Sequence, residues 1–218
     1  MELRHLILNF DDDFALDLDS PEESALRRFR LRKLIFGQAL LCLLEHCSKR
    51  GSHSPSVFIS HAHGEACSER WVTRDFAPLL RQAGIRVILD RTDSGPGTSL
   101  VDFMDLILSV ERVLVIGIPL FYQKSLPESE STVAREVRLI DERMRTDRKK
   151  DSVIPVLLAG EERTSLPRVL WDRVYVDLRD RERYHAQMFD LILQLYGLLD
   201  DGMVQDWRYA IQDGCPLS

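Results

Sequence analysis

The chain has 218 residues, 44% hydrophobic and 29% charged, with a formal net charge of −6. That length suffices for one globular unit with a sizeable core and some appendage, and the acidic balance argues against a broad electrostatic grip on nucleic acid. The longest apolar stretch, Leu34 to Leu44, is interrupted by Gln38 and is too short to span a bilayer. The acidic N-terminus lacks the basic-then-apolar order of a secretory leader, so the expected location is cytoplasmic, with no membrane partner. Cys42, Cys47, Cys67 and Cys215 form no CxxC pair and no zinc spacing. They read as reduced thiols, Cys42 in the core, and no metal site is expected.

In chain order, Asp11, Asp12, Asp13, Asp17 and Asp19 form an acidic loop ahead of a basic helix face carrying Arg27, Arg28, Arg30, Arg32 and Lys33. Ser20-Pro-Glu-Glu23 is a helix start: Ser20 can cap, Pro21 suits the first helical position and Glu23 completes a capping box. The pattern predicts a helix from Pro21 to about Cys47, burying Leu26, Phe29, Leu34, Ala39, Leu41 and Leu44. Its apolar stripe needs a partner: the rest of the chain, another copy, or an upstream signal. The Ser- and Gly-containing run from Ser48 to Pro55 marks a boundary. The expected division is a helical extension over 1–54, an α/β domain over 55–198, and a tail over 199–218 with Trp207 and Tyr209 in a short packed helix.

From Ser56 strands and helices alternate. Strands are predicted at 57–60, 85–89, 113–117, 153–158 and 173–177, and helices at 66–83, 99–109, 132–145 and 184–199, with a short helix at 166–171. Gly84 stops the first of these helices. Val113-Leu-Val-Ile-Gly117 is apolar throughout, as a central parallel strand requires. Pro119 to Ser131 reads as a long loop, and Pro155 points to a bulge or an exposed edge in the fourth strand. Five strands with alternating helices indicate a doubly wound parallel sheet.

Val57-Phe-Ile-Ser-His61 followed by a helix resembles the first strand and loop of Toll/interleukin-1 receptor (TIR) domains. Ile85-Arg-Val-Ile-Leu-Asp90 and Ser94-Gly-Pro-Gly-Thr-Ser-Leu100 resemble their second strand and BB loop. Val113 to Pro119 with Tyr122, Val133-Ala-Arg-Glu-Val137 and Val153-Ile-Pro-Val156 are similar to the third strand, the glutamate-bearing helix and the fourth strand. The Val-Ile-Leu-Asp strand and Asp102-Phe-Met104 also resemble the related SEFIR branch. The resemblance covers about residues 55 to 198 and implies a flavodoxin-like, doubly wound, five-stranded parallel sheet with a helical N-terminal extension.

The resemblance further implies an NAD+ glycohydrolase, with cyclisation of the ADP-ribose as a variant outcome, active on self-association in immune or anti-phage defence. NAD+ is then substrate, and no cofactor is required. Glu136 matches the family glutamate, able to hold ribose hydroxyls and stabilise an oxocarbenium-like ribose; its alternative is a solvent-facing glutamate near Arg135 or Arg138. Ser60 and His61 either border nicotinamide and ribose or cap the following helix. Asp90 either bonds a ribose hydroxyl or fixes the BB loop. Ser131 and Tyr122 complete the expected binding set. Many NAD-cleaving relatives carry tryptophan four residues before the glutamate; Thr132 stands there, leaving stacking to Phe121, Tyr122 or a neighbouring subunit, with Trp71 and Trp171 in the core. Self-association is expected through the BB loop, Arg91 to Ser99, and adjacent helices, with a filament as one form of it. The second reading is a non-catalytic TIR or SEFIR adaptor signalling by the same contacts. A receiver domain fits poorly, because Ser-His-Ala-His replaces its acidic cluster after the first strand.

Overall fold

The computed structural model describes residues 21–89, 107, 109–146 and 152–215. Five parallel strands, β1 (Ser56–Ser60), β2 (Arg86–Leu89), β3 (Arg112–Gly117), β4 (Val153–Leu157) and β5 (Val176–Asp177), lie in the order β2-β1-β3-β4-β5. The connection leaving β1 goes to one side and that leaving β3 to the other, so a crevice opens between their carboxyl ends.

Period-two alternation divides the sheet between two apolar layers. Val57 and Ile59 of β1, with Leu114 and Ile116 of β3, face a core completed by four helices: α1 (Pro21–Arg50), α3 (Ala77–Gln82), α7 (Tyr184–Tyr196) and α8 (Gly202–Asp213). Phe58, Val113 and Val115 face the opposite core, built with α4 (Pro119–Ser125) and α5 (Thr132–Thr146). Helix α2 (Ala66–Arg70) runs through a π-helical turn, Trp71–Phe76, into α3. Gly84 ends that helix with φ +78°, and the Tyr196 hydroxyl donates to the Ala83 carbonyl at 2.8 Å beside it.

Several local expectations change. Helix α1 buries Ile35, Phe36, Ala39, Leu40, Leu43 and Cys47, whereas Leu34 and Leu41 are 51% and 41% exposed. Leu26, Phe29, Leu44 and Cys42 are only partly buried. Apolar residues occupy two faces of α1, and only packing on α7 and α8 selects between them. The expected loop at 119–131 begins as helix α4, because Pro119 opens it directly after extended Ile118. Pro155 sits in a strand paired on both sides, but β5 joins β4 only from Val156 onward, so no second ladder needs the missing N–H. Strand β5 is two residues long, and Val174, expected within it, is 95% exposed. The short helix expected at 166–171 resolves into α6 (Glu162–Ser165) and a single 3-10 turn at Arg168–Leu170. Helix α7 stops at Gly197 in the left-handed region, and the tail forms α8, capped by the Asp201 carboxylate accepting from Met203 N at 3.0 Å.

Helix α5 carries two buried charges. Val133, Val137 and Ile140 mark its apolar face, and Glu136 and Arg143 lie on the same face. Arg143 spans to the entry of β3, where its guanidinium donates to the carbonyls of Ile107, Val110 (2.6 Å) and Glu111 (3.1 Å). Glu136 lies seven residues earlier, about 10 Å along the helix.

Candidate active site

Ser60 closes β1 and shares Phe58's face of the sheet, the face that α5 covers. Its hydroxyl therefore meets Glu136: Ser60 Oγ donates to Glu136 Oε2, and the two residues are 0% and 1% exposed. The pairing comes from strand parity and from the buried face of α5. It excludes a solvent-facing glutamate. It also replaces the expectation that Ser60 caps the next helix; Glu65 precedes α2, without a side-chain cap.

The segment after β1 is held from both sides. His61 is buried, and its ring lies 4.5 Å from that of His63. Lys124 of α4 donates its Nζ to the His63 carbonyl. Gly64, at φ +109°, donates its N–H to the Glu69 carboxylate. That backbone hydrogen bond, with the nearby His63, His61 and Lys124 charges and against partial burial, holds the Glu69 carboxyl below its ordinary value. Sequence reasoning missed Lys124 and Glu69; the glycine directly after His63 was the available signal for a tied turn.

The remaining expected residues are distributed differently. Ser131 caps α5, accepting from Ala134 N at 3.1 Å and donating to the Lys124 carbonyl at 2.5 Å, so its hydroxyl is engaged in local structure. Tyr122 lines an open groove of about 290 Å³ between α4, α5 and residues 167–169, alongside Leu126, Val137 and Arg138. Phe121 is fully buried and unavailable for stacking. Trp71 stacks on Phe76 at 4.6 Å against the core, while Trp171 is partly exposed beneath Arg163 and Arg168 rather than buried. Asp90, the BB loop and nearly all of the helix expected at 99–109 lie outside the described residues. Among the described residues no cluster of His, Cys, Asp and Glu suited to a metal ion occurs, and no helix is long and apolar enough to cross a membrane.

A buried carboxylate at the carboxyl edge of a 2-1-3-4-5 parallel sheet locates a site but not a family. A family model for the TIR domain matches residues 57–193. The chain belongs to the TIR domain family.

This TIR domain is similar in fold to solved structures. A prokaryotic SEFIR domain is 24% identical with a TM-score of 0.51, covering 66% of this chain and 99% of its own. The TIR domain of the Toll-related receptor TRR-2 from Hydra magnipapillata is 20% identical with a TM-score of 0.49, covering 64% and 96%. The TIR domains of the activated Roq1 resistosome, which directly recognises the pathogen effector XopQ, are 20% identical with a TM-score of 0.41, covering 74% and 83%. No curated protein matches the chain. In this TIR domain the glutamate-bearing helix is α5, and its glutamate faces β1.

Proposed function

We propose that this TIR domain cleaves NAD+ at the nicotinamide–ribose bond, with Glu136 as the catalytic carboxylate. One observation carries the reading: the Glu136 carboxylate meets Ser60 at the carboxyl end of β1, beside the crevice where open α/β sheets take ligands. In the reaction the C1′–N bond breaks and its electron pair leaves on neutral nicotinamide. Positive charge then develops on the ribose, and a carboxylate fixed nearby stabilises it. Water adds to C1′ and loses its proton to the carboxylate or to solvent. Ser60 orients Glu136, and His61, next along the chain, borders it; Tyr122 lines the neighbouring groove between α4 and α5. Thr132 is exposed, so an aromatic platform for the base has to come from Tyr122 or a second subunit.

A carboxylate that is 1% exposed must be uncovered before substrate reaches it. This supports activation by self-association through the BB loop and adjacent helices, in a defence-signalling role. Four free cysteines fit a reducing cytoplasm. The experiment is to incubate concentrated, assembled protein with NAD+ and follow nicotinamide release. Turnover lost in Glu136→Gln, with the thermal unfolding profile retained, supports the assignment; turnover unchanged in that variant overturns it. Assembly without any nicotinamide release would favour the second reading, a TIR adaptor, for which the same burial of Glu136 is the motivating observation.

A further inference from the structure

Helix α1 carries a second stripe, on the side away from its own core. Ser24, Arg27, Leu31, Leu34, Gln38, Leu41, Glu45 and Ser48 are all exposed. They recur at alternating spacings of three and four, the period of a helix-pairing seam. Between Leu31 and Ser48 these are the exposed positions of the helix; those between them are buried or partly buried. Leu31, Leu34 and Leu41 are 43%, 51% and 41% exposed, and they are three of the six large apolar side chains left exposed among the described residues. Two of the others, Met203 and Tyr209, lie on α8, which packs against α1. Leucine at this spacing on an outer helix face calls for a partner.

The order of residues along the stripe identifies that partner. Read against itself in reverse, the stripe matches: Leu31 falls opposite Leu41, Leu34 opposite Gln38, Arg27 opposite Glu45, and Ser24 opposite Ser48. An antiparallel copy thus sets basic against acidic at both ends, leucine against leucine at 31/41 and leucine against glutamine nearest the axis, over about 27 Å from Arg27 to Glu45. A parallel copy would set Arg27 against Arg27 and Glu45 against Glu45. In the single chain Glu45 is largely exposed and pairs with Lys49 at 2.8 Å, one turn along, a weak contact that a second copy can share.

We propose that this stripe is a docking surface for a second copy of the chain, which pairs α1 with α1 antiparallel about a twofold axis near residue 36. The interface is isologous and closed. It lies on the opposite layer of the sheet from Glu136, uses none of the BB loop, and does not depend on the proposed catalysis.

Sedimentation of the whole 218-residue chain over a concentration series tests it. The expected result is a reversible dimer that becomes monomeric when Leu34→Lys and Leu41→Lys are combined, the variant keeping its helical circular dichroism and a cooperative melt that, unlike the natural chain's, does not depend on protein concentration. Arg27→Glu and Glu45→Arg each weaken the dimer about tenfold, by placing like charges together at both ends, and their combination recovers most of that loss. That recovery requires antiparallel pairing. A chain that stays monomeric overturns the proposal, as does a dimer indifferent to the paired lysines. Charge variants without mutual rescue would refute the antiparallel register, and a monomer that instead sediments with anionic vesicles would refute the second copy as occupant.

Discussion

His185 makes the α1–α7 contact pH-sensitive in a predictable way. It is 5% exposed, with ring neighbours Phe29 (4.6 Å), Phe36 (5.7 Å) and Tyr184 (5.4 Å). Burial, followed by the positive charges of Lys33 and Arg32, lowers its pKa from 6.5 to about 4. Its Nδ1 has no hydrogen-bond partner among the described residues. The folded chain therefore keeps this ring neutral, while the unfolded chain protonates it below pH 6.5. Stability from His185 is complete above that value and is lost as pH falls toward about 4. Between those two values the unfolded state binds the extra proton, and the linkage amounts to roughly 2 kcal/mol by pH 5 and about 3 kcal/mol by pH 4. Urea unfolding at pH 7 and pH 5 reads this directly, comparing the natural chain with His185→Leu. The leucine variant should lose about 2 kcal/mol less over that interval, since a permanently apolar side chain has nothing to titrate. Equal losses in both proteins would refute the assignment of a neutral buried imidazole.

Two further substitutions test how the elements are fixed. Arg143→Met removes the donors that satisfy the Ile107, Val110 and Glu111 carbonyls; it should cost roughly 3 kcal/mol and lower the melting temperature by about 6 to 12 °C, as calorimetry would show. Gly84→Ala forces a side chain into φ +78°, with its Cβ 2.7 Å from the Tyr196 hydroxyl. A loss of about 1–3 kcal/mol in denaturant unfolding is expected, and a neutral result would mean that this turn relaxes freely.

Strands β1, β3 and β4 are legible because a strand buried on both faces must be a short unbroken apolar run, and Val57-Phe-Ile, Val113-Leu-Val-Ile and Val153-Ile-Pro-Val are such runs. Strand β5 is not, because a two-residue edge contact leaves no periodic imprint and Val174 beside it points to solvent. Helix α1 is legible as a helix but not in its orientation, since leucines on both sides give two defensible core faces. In the site, Glu136 was singled out through its resemblance to the family glutamate, and its burial follows from sharing a face with Val133, Val137 and Ile140. The Ser60–Glu136 contact needed the topology, because the two residues are far apart in sequence and only the placement of α5 over Phe58's side joins them. Ser131 was legible only as a member of the expected binding set; its role as the cap of α5 came from the structure, in the hydrogen bonds to Ala134 and Lys124.

The two layers of the sheet divide its surfaces, with α1 outside one apolar layer and α5 with Glu136 beneath the other. A twofold contact through α1 would saturate one side of each chain and leave the other untouched. Each dimer would then present two outward-facing copies of the proposed catalytic edge and act as a divalent linker. Any second, weaker self-contact on that edge would be strengthened by the raised local concentration, and assembly would switch on over a narrow range of protein concentration rather than gradually.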